Sequence, residues 1–257
     1  MEVCIVVRIH YLAYVFIIPQ KATISENPLA RLICVLDIVS KSTYNTVHME
    51  IDSIPSVYVT RSNLQIILGK NRRTLDYRIS ALMKKKVLER LKNGFYLNIA
   101  YFNKSQSQQQ QLLEYIGGTM VYPSYVSLEY ILEKNGFLAE SVYAVTYITT
   151  KKTRRIATKR GNFIYRSIKE DLFFGFTAQT VDNAEYFVAS LAKALFDFLY
   201  LTPWKTKQQM ETFLKESRFN WKVLREKDKL EFKQIISQVK IKKMNTACQF
   251  LKEERMI

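Results

Sequence analysis

A chain of 257 residues that is 48% hydrophobic and 24% charged has a globular composition and is long enough to bury a core. Its net charge of +16 points to a polyanionic partner: DNA, RNA or an anionic membrane surface. The two histidines, His10 and His48, both precede Met49, so imidazole-based acid/base chemistry and imidazole zinc sites are excluded from everything that follows. Three cysteines without metal-ligand spacing read as a reduced, cytoplasmic protein, and seven glycines without a phosphate-binding loop exclude a nucleotide-hydrolysing core. No cofactor and no metal are expected.

The apolar run from Val3 to Pro19 is interrupted by Arg8 and His10 and falls short of the roughly 20 residues that cross a bilayer. Glu2 before it and Ile18-Pro19-Gln20 after it do not suit a secretory leader. The run shows neither helical nor strand periodicity. Residues 1–48 are therefore expected to be an extension of uncertain status, with translation starting at Met49, and no membrane is expected as a partner.

Residues 60–98 hold 10 basic and 2 acidic side chains, half of the whole excess. Thr60 and Ser62 are good helix N-caps, and Leu64, Ile67 and Leu68 follow at helical spacing. Gly69-Lys70-Asn71 makes a break, after which a second helix is predicted from about Arg72 to Lys85. Leu75, Ile79 and Leu82 form its inner stripe. With Leu75 at zero, Arg73 projects at about 160°, Tyr77 at about 200°, Ser80 at about 140° and Lys84 at about 180°. Thr74 lies beside them, and Arg72, Arg78 and Lys85 flank the face. A cationic, hydrogen-bonding face opposite an aliphatic stripe suits base reading in a major groove, with flanking cations on phosphates.

Two short strands, Val87–Leu91 and Phe95–Asn98, are joined through Lys92-Asn93-Gly94, a strong hairpin signal. As a wing, this hairpin would aim Arg90 and Lys92 at the sugar-phosphate backbone. Residues 49–102 thus read as a winged helix-turn-helix that binds double-stranded DNA.

The stretch 103–111 (NKSQSQQQQ) has no apolar residue and reads as a flexible linker. Residues 112–204 read as a mixed α/β domain. In it we expect a helix over 127–135, strands over 142–149, 163–168 and 173–176, and a long helix over 184–200. Residues 205–257 read as a charged helical tail, so the fold class is α+β. Lys151, Lys152, Arg154, Arg155, Lys159 and Arg160 fall within ten residues between two strands. They make either a solubilising hairpin or a second polyanion site. Trp204 and Trp221 are expected in the core. Asp197 follows Lys193 by four residues, as in a helical ion pair.

Three stretches together resemble the AbiEi-type antitoxins of type IV toxin–antitoxin (abortive infection) systems. The first is the end of the winged helix, Val87 to Tyr96. The second is Tyr122 to Glu129, similar to the family's YISLESAL helix start, and the third is Ala189 to Asp197, similar to its A-x-x-EKALLD segment. The likeness spans about 60–200; Ala192 stands where the family has Glu, and Tyr130 where a small residue is usual. The resemblance implies a transcriptional autorepressor that binds inverted repeats before its own operon. It also implies an antitoxin that opposes a nucleotidyltransferase-like toxin without a stable complex. Two alternatives stay open: a winged-helix regulator of other genes with a ligand-sensing or dimerising second domain, and a metal-dependent nucleic-acid enzyme built on Asp171 and Asp197.

Overall fold

The computed structural model describes residues 51, 54–68 and 71–257, together with the strands β1 (Cys4–Ile9) and β2 (Leu12–Ile17). Met49, the expected start, lies outside the described residues, as do Gly69 and Lys70 of the expected break. The chain divides into two compact units, Met1–Ile51 and Asp52–Ile257. In the first, β1 and β2 pair antiparallel from Cys4 opposite Ile17 to Ile9 opposite Leu12. Within the run that lacks a legible strand periodicity, Cys4–Ile9 and Leu12–Ile17 are therefore paired strands, rich in the β-branched residues that favour extended backbone.

The second unit begins with β3 (Tyr58–Thr60), α1 (Arg61–Leu68) and α2 (Arg72–Lys84), followed by β4 (Leu88–Lys92) and β5 (Phe95–Asn98). The three strands form an antiparallel sheet in the order β3-β5-β4. Thr60 caps α1: its hydroxyl accepts from the Asn63 amide at 3.2 Å, while the Asn63 side chain accepts from the Thr60 amide at 3.0 Å. Asn71 caps α2 by accepting from the amides of Arg73 and Thr74. Leu64, Leu68, Leu75, Ile79 and Leu82 are buried beneath these helices.

The segment expected to be a flexible linker is helical. α3 (Ile99–Lys104) and a 3-10 turn (Gln106–Gln108) lead directly into α4 (Gln109–Met120). Glutamine is a good helix former, and here its amides also find partners. Gln109 donates to the Phe102 carbonyl at 3.4 Å and Gln110 to the Tyr130 hydroxyl at 2.7 Å.

Next come β6 (Ser124–Val126), α5 (Leu128–Lys134), β7 (Ala144–Thr149), β8 (Arg154–Thr158), β9 (Gly161–Ser167), β10 (Phe176–Val181) and β11 (Ala184–Ala189). Their strands make one mixed sheet in the order β10-β11-β6-β7-β9-β8. β7 with β9 and β11 with β6 run parallel, and the remaining pairs are antiparallel. α4 lies on one face of the sheet. There the Tyr147 hydroxyl donates to the Glu114 carbonyl at 2.9 Å and the Tyr165 hydroxyl to the Gly117 carbonyl at 2.8 Å. The long helix expected over 184–200 is instead β11 followed by α6 (Leu191–Leu201). Asp182 and Asn183 both take positive φ, 47° and 62°, which closes a two-residue hairpin with Val181 opposite Ala184. Ser190 then caps α6, accepting from the Lys193 amide at 3.0 Å.

The expected tail contains α7 (Lys207–Glu216), α8 (Glu226–Val239) and α9 (Lys242–Glu253). It is not peripheral. Leu214, Phe232, Ile236, Met244 and Leu251 are buried in the same apolar core as the sheet and α6. The molecule is thus a mixed α/β protein with a C-terminal helical region. No helix among the described residues is long and apolar enough to cross a membrane.

Candidate nucleic-acid interface

The inner stripe of α2 is sealed and its outer face is open. Leu75, Ile79 and Leu82 are buried, while Arg72, Arg73, Thr74, Ser80, Lys84 and Lys85 are exposed and Tyr77 is 68% exposed. Asp76 is an acid on this face, but Arg61 from α1 holds it in an ion pair. The hydrogen bond from Arg61, more than its charge, keeps that carboxyl below its ordinary pKa. With Asp76 paired to Arg61, the outer face carries a net positive charge from Arg72, Arg73, Lys84 and Lys85. Arg78 departs from expectation. It is half-buried and donates to the Leu68 carbonyl at the end of α1, so it joins the two helices rather than projecting as a flanking cation.

The hairpin between β4 and β5 forms where Asn93-Gly94 places it, with Lys92 opposite Phe95 and a register shift after Arg90. Only Gly94 takes a positive φ, 72°, so the turn is not the type with two left-handed residues; the bulged register takes up the difference. Arg90 is exposed and hydrogen-bonded to the Asn93 side chain at 3.3 Å. Lys92 does not reach outward. Its ammonium donates to the Met120 carbonyl at the C-terminus of α4 and lies 5.6 Å from the Phe95 ring. Burial, aided by the nearby charge of Arg154, lowers its pKa. The last carbonyls of a helix need donors, and that need outcompetes solvent for this side chain.

The basic segment at 151–160 is divided by its own strand geometry. Arg154 stands opposite Tyr165 and Arg155 opposite Ile164, so these neighbours leave the sheet on opposite faces. β8 runs alongside β4, and Arg160 is withdrawn from the cluster. It pairs with Glu89 of β4 at 3.2 Å and lies 5.0 Å from the Phe102 ring centre. Lys151, Lys152, Arg154, Arg155 and Lys159 remain exposed. Segment composition could not reveal Glu89 as a partner, because 71 residues separate it from Arg160.

Lys193 and Asp197 do pair along α6, and both are fully buried. Asp197 also accepts from the Tyr125 hydroxyl at 3.0 Å and the Ser127 hydroxyl at 2.8 Å, while Lys193 donates to the Leu172 carbonyl at 2.9 Å. Burial pushes the Asp197 carboxyl up to about 6 against the pull of these donors, and burial lowers the Lys193 ammonium. The second and third stretches that carry the family resemblance meet at this cluster. Asp171, by contrast, is exposed, and no three metal-ligating side chains come together among the described residues.

Sequence reading missed a cleft beside α6 and α7. Glu129, Arg166, Phe198 and Phe213 line it, and each sits in a different element. No local spacing announces such a set. The nearest signal is Glu129, a lone acid in an apolar helix start. No protein-family model matches the chain, and no curated protein matches it.

Proposed function

We propose that the chain is a DNA-binding transcriptional autorepressor whose residues 54–98 form a winged helix-turn-helix. In this reading α2 enters the major groove, Arg73, Thr74, Tyr77, Ser80 and Lys84 meet base edges, and Arg72, Lys85 and Arg90 meet phosphates. The observation that carries it is the two-sided character of α2, with its aliphatic stripe in the core and a cationic, hydrogen-bonding face open to solvent. The wing contributes Arg90 alone, since Lys92 is engaged at Met120. The resemblance to AbiEi-type antitoxins extends the proposal. The DNA is the chain's own operator, with inverted repeats, and the larger half opposes a nucleotidyltransferase-like toxin.

Two measurements test this. The first is a salt titration of the full chain on DNA from upstream of its own gene and on a scrambled duplex. Arg73→Ala and Tyr77→Ala should weaken operator binding by about 1–3 kcal/mol and leave scrambled binding nearly unchanged, since these side chains read bases. Equal losses on both duplexes would remove base readout from α2. The second is co-expression with the neighbouring nucleotidyltransferase-like protein: growth rescued by the chain supports the antitoxin role, and unrelieved toxicity ends it.

A further inference from the structure

We infer that Arg154, on the strand beside the wing, makes the duplex phosphate contact that Lys92 gives up, so that one DNA interface draws on both halves of the chain. The inference rests on duplex binding by α2 and adds to it a cation that the winged helix does not itself contain. A wing holds a duplex by setting cations against the sugar-phosphate backbone. Here the cation next to the turn, Lys92, is drawn inward to the Met120 carbonyl.

Two anchors place Arg154 at that end of the wing. The first is β4 itself, which packs beside β8 and pairs through Glu89 with Arg160, in the turn that follows β8. The second is α4. Lys92 reaches the Met120 carbonyl, and the Tyr165 hydroxyl reaches the Gly117 carbonyl one turn earlier at 2.8 Å. Arg154 stands directly opposite Tyr165 in the antiparallel pair of β8 with β9, and opposed residues leave a sheet on the same face. Arg154 therefore shares the α4 face, close to Lys92. Burial and then the charge of Arg154 lower the Lys92 ammonium, as that proximity requires.

The surface continues to α2. The Gly94 carbonyl at the wing turn accepts from the Arg61 amide at 2.8 Å, and Arg61 pairs with Asp76, one turn beyond Arg73. A duplex seated on α2 thus carries its phosphates past the wing turn toward Arg154. That side chain is exposed and ready for them. Its Nε donates to the Lys152 carbonyl at 3.2 Å, while its terminal nitrogens have no partner among the described residues. A guanidinium tethered at Nε presents its outer N–H groups as a pair, which suits a phosphate. Arg155 is equally exposed but stands opposite Ile164, so it projects from the other face and stays off the duplex.

The two neighbouring arginines make the test. Salt titrations compare the full chain with Arg154→Ala, Arg154→Lys and Arg155→Ala, on DNA from upstream of its own gene and on a scrambled duplex. Arg154→Ala should weaken both duplexes alike, about five- to tenfold at 0.1 M salt, and lower the salt slope by about 1, as loss of one phosphate contact does. Arg154→Lys should keep the slope, and Arg155→Ala should match the unmodified chain. Should Arg154→Ala lower the melting temperature, the slope difference between Arg154→Gln and Arg154→Lys carries the test. An unchanged slope on neutralising Arg154, or equal losses for Arg154→Ala and Arg155→Ala, would overturn the inference. The role of α2 survives that result if Arg73→Ala still weakens the operator selectively. Failure of the unmodified chain to bind either duplex would overturn both.

Discussion

Lys193 and Asp197 show how far one residue pair can be read from spacing. Their separation by four on a predicted helix announces an ion pair, and the surrounding Ala-Leu-Phe run hints that water is absent. What spacing cannot supply is the second set of partners, Tyr125, Ser127 and the Leu172 carbonyl, which arrive from distant segments. The pair therefore ties β6 to α6, and removing one member leaves a buried charge alone. Asp197→Ala should cost about 3–5 kcal/mol in urea denaturation, and Lys193→Met a similar amount. The double substitution Lys193→Met/Asp197→Leu should cost less than the sum of the two. Strict additivity would mean that the two charges are not coupled. Lys92 gives the opposite lesson at the same scale. Its place in a wing points to phosphate, but a helix end that lies 28 residues further on claims it.

At the scale of elements, periodicity located α1 and α2 because each has one sealed face and one open face, and the Asn93-Gly94 signal located β4 and β5, although β5 is buried throughout. Periodicity failed at β10 and β11. There a largely apolar stretch runs from a strand into a helix, and only the Asp182-Asn183 turn and the Ser190 cap mark the boundaries. Both signals are present in the chain, but they are weaker than the hydrophobic pattern that overrode them. α4 offers a direct test of packing. A Cβ added to Gly117 would lie 2.0 Å from the Tyr147 hydroxyl oxygen, whereas one added to Gly118 meets nothing within 4 Å. Gly117→Ala should destabilise by about 1–3 kcal/mol through overpacking of α4 against the sheet. Gly118→Ala should be neutral or stabilising by up to about 1 kcal/mol, from helix propensity alone. Thermal melts of the two variants check this; equal melting temperatures would show that α4 does not sit tightly on Tyr147.

For the whole molecule, reading composition by segment suggested a small basic domain tethered to a larger one. The polar stretch at 103–111 earned that reading by lacking apolar residues, but it is helical and its glutamines bond to neighbouring elements. Across the expected boundary, Glu89 pairs with Arg160 and Lys92 with the Met120 carbonyl. Contacts between segments so far apart in the chain leave no trace in local pattern, which is why the candidate interface was legible on α2 and illegible around β8. Inserting Gly-Ser-Gly-Ser after Ser105 tests the join. A tether tolerates added length with almost no loss; here the insertion should lower the melting temperature by several degrees, about 2–4 °C per kcal/mol for a chain of this size. An unchanged single calorimetric transition would restore the tethered picture.

The hairpin clamped against the larger half has one more consequence under the proposed function. With the wing held at Arg160 and at the Met120 carbonyl, α2 acts as an interchangeable key on a fixed handle. Altering the side chains at Arg73, Tyr77, Ser80 and Lys84 would redirect the molecule to another address, while the angle at which the handle stands above the DNA stays the same.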